Sequence, residues 1–167
     1  MNSVGIIGIG SQIGLDNISQ LIIQQLKKKI VNYKFSNQVH VDYYDRPNIY
    51  LLEIIENFKL VYLIDAIQGN KKIGEIYKYE HFEVFEKKSI LLSSHEFGMI
   101  ELLELGKTLN LLPNKVIIYG ISIGDIFKSD LILKPSLAIL RSCVTIGRQV
   151  ISELETYFSL GTSTILS

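Results

Sequence analysis

The chain has 167 residues, of which 47% are hydrophobic and 20% charged, and its 17 basic residues balance 17 acidic ones. This length and composition predict one domain with a substantial core, and the zero net charge gives no support for binding to nucleic acid or an anionic membrane. A single cysteine, Cys143, excludes an internal disulfide and is typical of a reducing compartment. Because the sequence contains no bilayer-length apolar stretch and no signal-peptide pattern, we expect a cytoplasmic protein without a membrane segment.

Short apolar runs alternate along the chain with stretches of helical periodicity. The runs that predict strands cover residues 4–9, 38–44, 60–64, 75–79, 89–92 and 116–121. The run at 75–79 alternates, so we expect it at the edge of the sheet. This order predicts a three-layer αβα fold of the α/β class, with a mostly parallel twisted sheet and helices on both faces.

Four stretches predict helices, which begin near residues 17, 51, 99 and 135. The last is long, and we expect one apolar stripe of it to be buried: Leu137, Leu140, Val144, Ile151, Leu154 and Phe158. We expect a single domain over residues 1–158 and a flexible polar tail over residues 159–167.

A glycine-rich turn follows the first predicted strand. Gly8, Gly10 and Gly14 allow a sharp turn and a close approach of the backbone to a bound group. Asp16 or Asn17 is expected to cap the following helix. Polar side chains therefore stand just beyond the carboxyl end of a buried strand, where open α/β sheets bind their ligands.

Two further polar residues follow predicted buried strands, Asp65 after 60–64 and His95 after 89–92. If these strands are parallel neighbours, Asp65, His95 and the Asp16–Asn17 pair meet in one crevice and form a plausible set of ligands for nickel or zinc. Each has a simpler explanation: an acid at a strand–helix junction is most often a helix cap, and a histidine is often a hydrogen-bonded loop residue. Such a simple explanation fits Asp65 least well, because a carboxylate near the buried end of a sheet needs a partner.

Three blocks of the sequence carry a resemblance to a known family. They are Gly8-Ile9-Gly10-Ser11 with Asp16-Asn17, then Leu63-Ile64-Asp65-Ala66, then Ser93-Ser94-His95 with Gly98. In order, distance and predicted edge placement, they resemble the three signature regions of the hydrogenase maturation endopeptidases. The resemblance runs from residue 4 to about residue 155.

The resemblance implies a parallel-sheet α/β fold and a specific reaction. Family members cleave a short C-terminal extension from the large subunit of nickel–iron hydrogenases after nickel insertion, so the implied partner is that large-subunit precursor. The implied ligands of the nickel carried by the substrate are Asp65, His95 and Asn17, and Asn17 stands where the family has the second acid of an Asp-Asp or Asp-Glu pair. Any binding of a divalent ion such as nickel or zinc by the protein itself is expected to be weak.

A metal-dependent, aspartic-type endopeptidase is the activity that this resemblance implies. Asp65 and Asp16 are the candidate catalytic residues, and Asp16 is also a candidate substitute for Asn17 as a ligand. The residues expected to support the site through loops and turns are Gly8, Gly10, Ser11, Ser94 and Gly98.

Two other functions remain open at this stage. Because Asn17 replaces an acid, the chain is alternatively a non-cleaving family member that binds its partner as a chaperone module. The glycines after the first strand also resemble a dinucleotide-binding turn, but no acid stands about 20 residues further on to hold a ribose. A serine-type triad around Ser93 or Ser94 is disfavoured because triads are defined by geometry rather than by sequence proximity, and Cys143 is expected to be an inert core thiol.

Overall fold

The computed structural model of the protein describes residues 3–10, 17–46, 48–68, 72–80, 98–124 and 134–163. A five-stranded sheet with the order β2-β1-β3-β5-β4 forms its centre. The strands are β1 (Val4–Gly10), β2 (Val39–Asp45), β3 (Leu60–Gln68), β4 (Ile76–Glu80) and β5 (Lys115–Gly124). Neighbouring strands are parallel except for β4, which pairs antiparallel with β5 at one edge.

In the part of the chain that the structure describes, four α-helices cover the two faces of this sheet. They are α1 (Ile18–Ile30), α2 (Ile49–Ile55), α3 (Met99–Leu109) and α4 (Leu137–Ser163), and a short 3₁₀ helix (Ser36–Gln38) precedes β2. One hydrophobic cluster joins α1 and α4 to the sheet, and a second joins α2 and α3 to the opposite face. The predicted α/β class, mostly parallel sheet and edge position of the 75–79 run are confirmed, whereas the strand predicted at 89–92 lies outside the described residues.

The central strands are apolar on both sides because both of their faces are covered. All seven residues of β1 are buried. In the register of β1 with β3, Ile6 lies beside Tyr62 in the α1/α4 cluster, whereas Ile7 lies beside Leu63 in the α2/α3 cluster. The alternation of side chains along each strand therefore assigns every position to one face.

A polar contact fixes the second half of α4 on the sheet. The carboxylate of Glu153 accepts hydrogen bonds from Tyr119 Oη at 2.7 Å and from Lys78 Nζ at 2.6 Å. Burial, reinforced by the Glu153 carboxylate, raises the pKa of the Tyr62 and Tyr119 phenols. Both hydroxyls therefore remain protonated donors, and α4 is held against β5 and the edge strand β4.

The prediction for the buried stripe of α4 was partly wrong. Leu137, Leu140 and Val144 are exposed, and the positions buried in this half of the helix are Ile139, Cys143, Ile146 and Val150. The helix carries apolar residues on two neighbouring stripes, and the sheet buries the one centred on Cys143 and Ile146. Only further along do the two stripes converge, where Ile151 and Leu154 are both buried. The helix also continues to Ser163, into the segment expected to be a tail.

No helix in the described part of the chain is long and apolar enough to cross a membrane.

Candidate functional site

The carboxyl ends of the parallel strands meet at one edge of the sheet, and Asp65 lies there on β3. The pairing of β1 with β3 ends at Gly8 and Ile64, so Asp65 is the next residue beyond it, while its other neighbour is Gly120 on β5. The side chain is only 7% exposed, and Oδ1 accepts a hydrogen bond from the backbone N–H of Ala66 at 2.8 Å. This bond fixes the orientation of the carboxylate at the point where β3 extends beyond its pairing with β1.

Asn17 is the residue immediately before α1, but its side chain does not cap the helix as expected. Its φ and ψ are −79° and 2°, and the side chain makes no capping hydrogen bond. Oδ1 is shielded from solvent, and the part of the chain that the structure describes offers it no hydrogen-bond donor. A buried polar atom without a partner costs about 1–3 kcal/mol, so an external donor or cation would stabilise this amide oxygen.

A close contact between α1 and β1 determines where Asn17 lies. Ser19, in the first turn of α1, donates a hydrogen bond through Oγ to the carbonyl oxygen of Ile9 at 2.5 Å. A Cβ atom built on Gly8 would lie 2.5 Å from Cγ1 of Ile23 and 3.3 Å from the carbonyl oxygen of Ser19. Only glycine at this position of β1 allows the helix to approach so closely, and the start of α1 is thereby held near the end of β1.

The other two described turn residues, Gly10 and Gly98, belong to the same edge. Gly10 ends β1, and its carbonyl oxygen accepts a hydrogen bond from the backbone N–H of Arg46 at 3.0 Å. Gly98 is the N-cap of α3. Because α3 ends at Leu109 and the chain then enters the amino end of β5 at Lys115, α3 begins at the carboxyl edge.

The described residues thus bring together five of the predicted site residues at one edge: Gly8, Gly10, Asn17, Asp65 and Gly98. The remaining candidates, Ser11, Asp16, Ser94 and His95, lie outside the described residues. Among the described His, Cys, Asp and Glu residues, which do not include Asp16 or His95, no three side chains are grouped closely enough to hold a metal ion.

Sequence reasoning missed one feature of the site, the contact of Ile67 with Gly120. The side chain of Ile67 occupies the space where a Cβ on Gly120 would lie, and Gly120 is the register partner of Asp65. Ile67 is two residues beyond Asp65 and on the same face of β3, so it forms an apolar surface beside the carboxylate. The only signal in the sequence was a glycine inside an otherwise apolar strand, which indicates a close approach of another group.

The sequence matches one known protein family. The sequence model of the family HycI, described as hydrogenase maturation protease, matches residues 22–137. The chain belongs to the hydrogenase maturation protease family. The match includes Asp65 and Gly98 but begins after Gly8, Gly10 and Asn17. For these three residues of this hydrogenase maturation protease family member, the support is the geometry described above. A comparison with curated proteins gives no match.

Solved structures have the same fold as this hydrogenase maturation protease family member. The hydrogenase maturating endopeptidase HybD from E. coli is 17% identical, with a TM-score of 0.70 and 93% of each chain covered. The [NiFe] hydrogenase maturation protease HycI from Thermococcus kodakarensis KOD1 is 20% identical, with a TM-score of 0.67 and coverage of 92% of this chain and 93% of the other. HybD from Thermococcus kodakarensis is 23% identical, with a TM-score of 0.66 and coverage of 91% and 98%. The predicted family resemblance is confirmed.

Proposed function

We propose that this protein is the endopeptidase that removes the C-terminal extension of a nickel–iron hydrogenase large subunit after nickel insertion. The observation that carries the proposal is the buried, oriented carboxylate of Asp65 at the carboxyl edge of the sheet, within the segment that matches the family. The chain's part in the reaction is to recognise the nickel that the substrate carries and to position the peptide bond next to it.

The proposed nickel ligands are Asp65, His95 and Asn17. Carboxylate and imidazole are ligands that divalent nickel accepts, and the backbone donor from Ala66 fixes one oxygen of Asp65. The Oδ1 atom of Asn17, which has no hydrogen-bond partner among the described residues, supports the third position. An amide oxygen is a neutral donor, so this ligand set carries one negative charge fewer than a set with a second carboxylate.

Nickel in the substrate would polarise the scissile carbonyl or an attacking water. Asp65 and Asp16 are the proposed acids of this aspartic-type, metal-dependent hydrolysis. In this proposal Asp65 holds the metal and orients the substrate around it. Asp16 accepts a proton from the attacking water and returns it to the nitrogen of the peptide bond that breaks. The protein's own affinity for a free divalent ion is low, because the third ligand is uncharged.

The experiment incubates the nickel-loaded large-subunit precursor with the protein and measures the precursor mass. We expect the wild type to remove the C-terminal peptide, and Asp65→Asn and His95→Ala to leave the precursor mass unchanged. The matched controls are Asp42→Asn and His40→Ala, which make the same chemical changes on the edge strand β2. Cleavage that survives both site variants would contradict the proposed site.

A second function, binding without cleavage, is favoured by one observation, the amide at Asn17 in place of an acid. In this alternative the wild type forms a complex with the nickel-loaded precursor and the precursor mass does not change. Asn17→Asp distinguishes the two functions, and a carboxylate near the start of α1 is compatible with the helix dipole. Cleavage by Asn17→Asp but not by the wild type would identify a binding module.

A further inference from the structure

The first half of α4 has an outer surface that no described element covers. We call it the outer α4 face, and it consists of Leu137, Leu140, Arg141, Val144 and Arg148. Their spacing of 0, 3, 4, 7 and 11 residues places them on one side of the helix. In the outer α4 face, Leu137 is 73% exposed, Leu140 is 40% exposed and Val144 is 37% exposed. Further along the same side of the helix, Ile151 is only 8% exposed.

The outer α4 face lies at the same carboxyl edge of the sheet as Asp65, on the opposite side of the sheet. Ser142 donates a hydrogen bond through Oγ to the carbonyl oxygen of Gly74, whose N–H binds the carbonyl oxygen of Ser122 near the carboxyl end of β5. Glu153, further along α4, contacts Tyr119 in the middle of β5. Helix α4 therefore runs antiparallel to β5, and its exposed half is the half at the carboxyl edge. Ile73, which precedes Gly74 there, is also 49% exposed.

The charged side chains between residues 134 and 152 are all cationic. Residues 134–152 contain Lys134, Arg141 and Arg148 and no acidic residue, although the whole chain has a net charge of zero. No ion pair joins any of these three cations to a carboxylate of the described residues. The outer α4 face is therefore apolar with cationic flanks, and it complements a surface that is apolar with carboxylates around it.

We infer that the outer α4 face is the docking surface for the body of the large-subunit precursor, which presents an apolar patch flanked by acidic side chains. This inference rests on the proposed function, since the precursor's C-terminal segment must reach Asp65 at the same edge. An isologous dimer of this chain would bring the same patch of both copies together, so Arg141 and Arg148 would repel their own copies. Its place at the same edge of the sheet as Asp65 favours the precursor over an anionic membrane, because a precursor docked at this edge has its C-terminal segment near the site.

The test measures the binding of nickel-loaded precursor to immobilised protein and, where cleavage occurs, its KM and kcat. Two variants disrupt the face, the double change Leu137→Ser with Leu140→Ser and the double change Arg141→Glu with Arg148→Glu. Both changes are on the surface, so circular dichroism should show an unchanged fold. We expect Kd and KM to rise about tenfold or more and kcat to stay within about twofold of wild type, because docking stabilises the ground state and the transition state equally.

The matched controls are Leu160→Ser and Lys28→Glu. Leu160 is 66% exposed on the same helix but near its far end, and Lys28 is an exposed cation in the last turn of α1. Both controls should bind the precursor like the wild type. Wild-type affinity in both double variants would overturn the docking surface alone, with cleavage intact. A wild type that neither binds nor cleaves the precursor would overturn the proposed function as well.

Two further results would assign the face to another occupant and overturn the inference. One is a wild-type dimer in sedimentation that becomes a monomer in Leu137→Ser with Leu140→Ser. The other is binding of the wild type to phosphatidylserine vesicles that is lost in Arg141→Glu with Arg148→Glu, while precursor binding is unaffected.

Discussion

Replacement of Gly8 by alanine tests whether the start of α1 is held in place by its contact with β1. The added Cβ would lie 2.5 Å from Cγ1 of Ile23 and 3.3 Å from the carbonyl oxygen of Ser19. Carbon atoms in contact prefer about 3.5–4.0 Å, so the clash requires a movement of about 1 Å. Ile23 is fully buried and the Ser19 oxygen belongs to the backbone, so we expect the whole first turn of α1 to move outward.

The expected cost has two parts. Inserting a methyl group into a packed interior typically costs about 1–3 kcal/mol. A 1 Å shift also weakens the 2.5 Å hydrogen bond from Ser19 Oγ to the Ile9 carbonyl, a net loss of about 1 kcal/mol. We therefore expect the free energy of unfolding of Gly8→Ala to fall by about 2–4 kcal/mol, and its affinity for nickel-loaded precursor to fall with it, because Asn17 moves with the helix.

Urea denaturation followed by circular dichroism measures the first effect, and Gly147→Ala is the control. A Cβ built on Gly147, in α4, meets no atom of the described residues within 4 Å, and alanine is the better helix former by about 0.5–1 kcal/mol. The control should therefore be as stable as the wild type or slightly more stable. If Gly8→Ala unfolded at the same urea concentration as Gly147→Ala, the close packing of α1 on β1 could not be what positions Asn17.

Three further predictions concern contacts away from the site. Glu153→Ala removes the acceptor of the buried Tyr119 hydroxyl, so denaturation should show a loss of about 2 kcal/mol; Glu155→Ala, on the exposed side of the same helix, should show almost none, and equal losses would contradict this role of the pair. Asn48→Ala removes the side-chain cap of α2 and should lower the unfolding free energy by about 1 kcal/mol, measured in the same way; no change would mean that the cap is dispensable. Burial raises the pKa of the Cys143 thiol to about 11, so at pH 8 the thiol is neutral and iodoacetamide should modify it only after unfolding; rapid modification of the folded protein would contradict its burial.

The sequence was sufficient to predict the centre of the sheet, although β3 continues past Asp65 to Gln68. Residues 4–9 and 60–64 are apolar at nearly every position, which is typical of parallel strands covered on both faces. Asp65 interrupts the second run at its carboxyl end, and in parallel sheets that end is an edge where polar residues from several strands meet.

The side of α4 that packs on the sheet could not be predicted from periodicity alone. Leu140 and Val144 have the same helical spacing as Ile139 and Cys143, and the choice between the two stripes depends on how the helix crosses β5. That crossing is fixed by contacts distant in sequence, such as Ser142 with Gly74. The contact of Ile67 with Gly120 likewise depends on the register between β3 and β5, which one sequence does not reveal.

The parallel register of β1 with β3 also determines on which side of the sheet the Asp65 carboxylate stands. A slip of one residue would turn every side chain of β3 over and place this carboxylate among the isoleucines between the sheet and α1. A carboxylate buried among apolar side chains without a polar partner is energetically costly, so the misaligned sheet would be disfavoured. The acid that we assign to substrate recognition therefore also favours the correct alignment of β3 with β1.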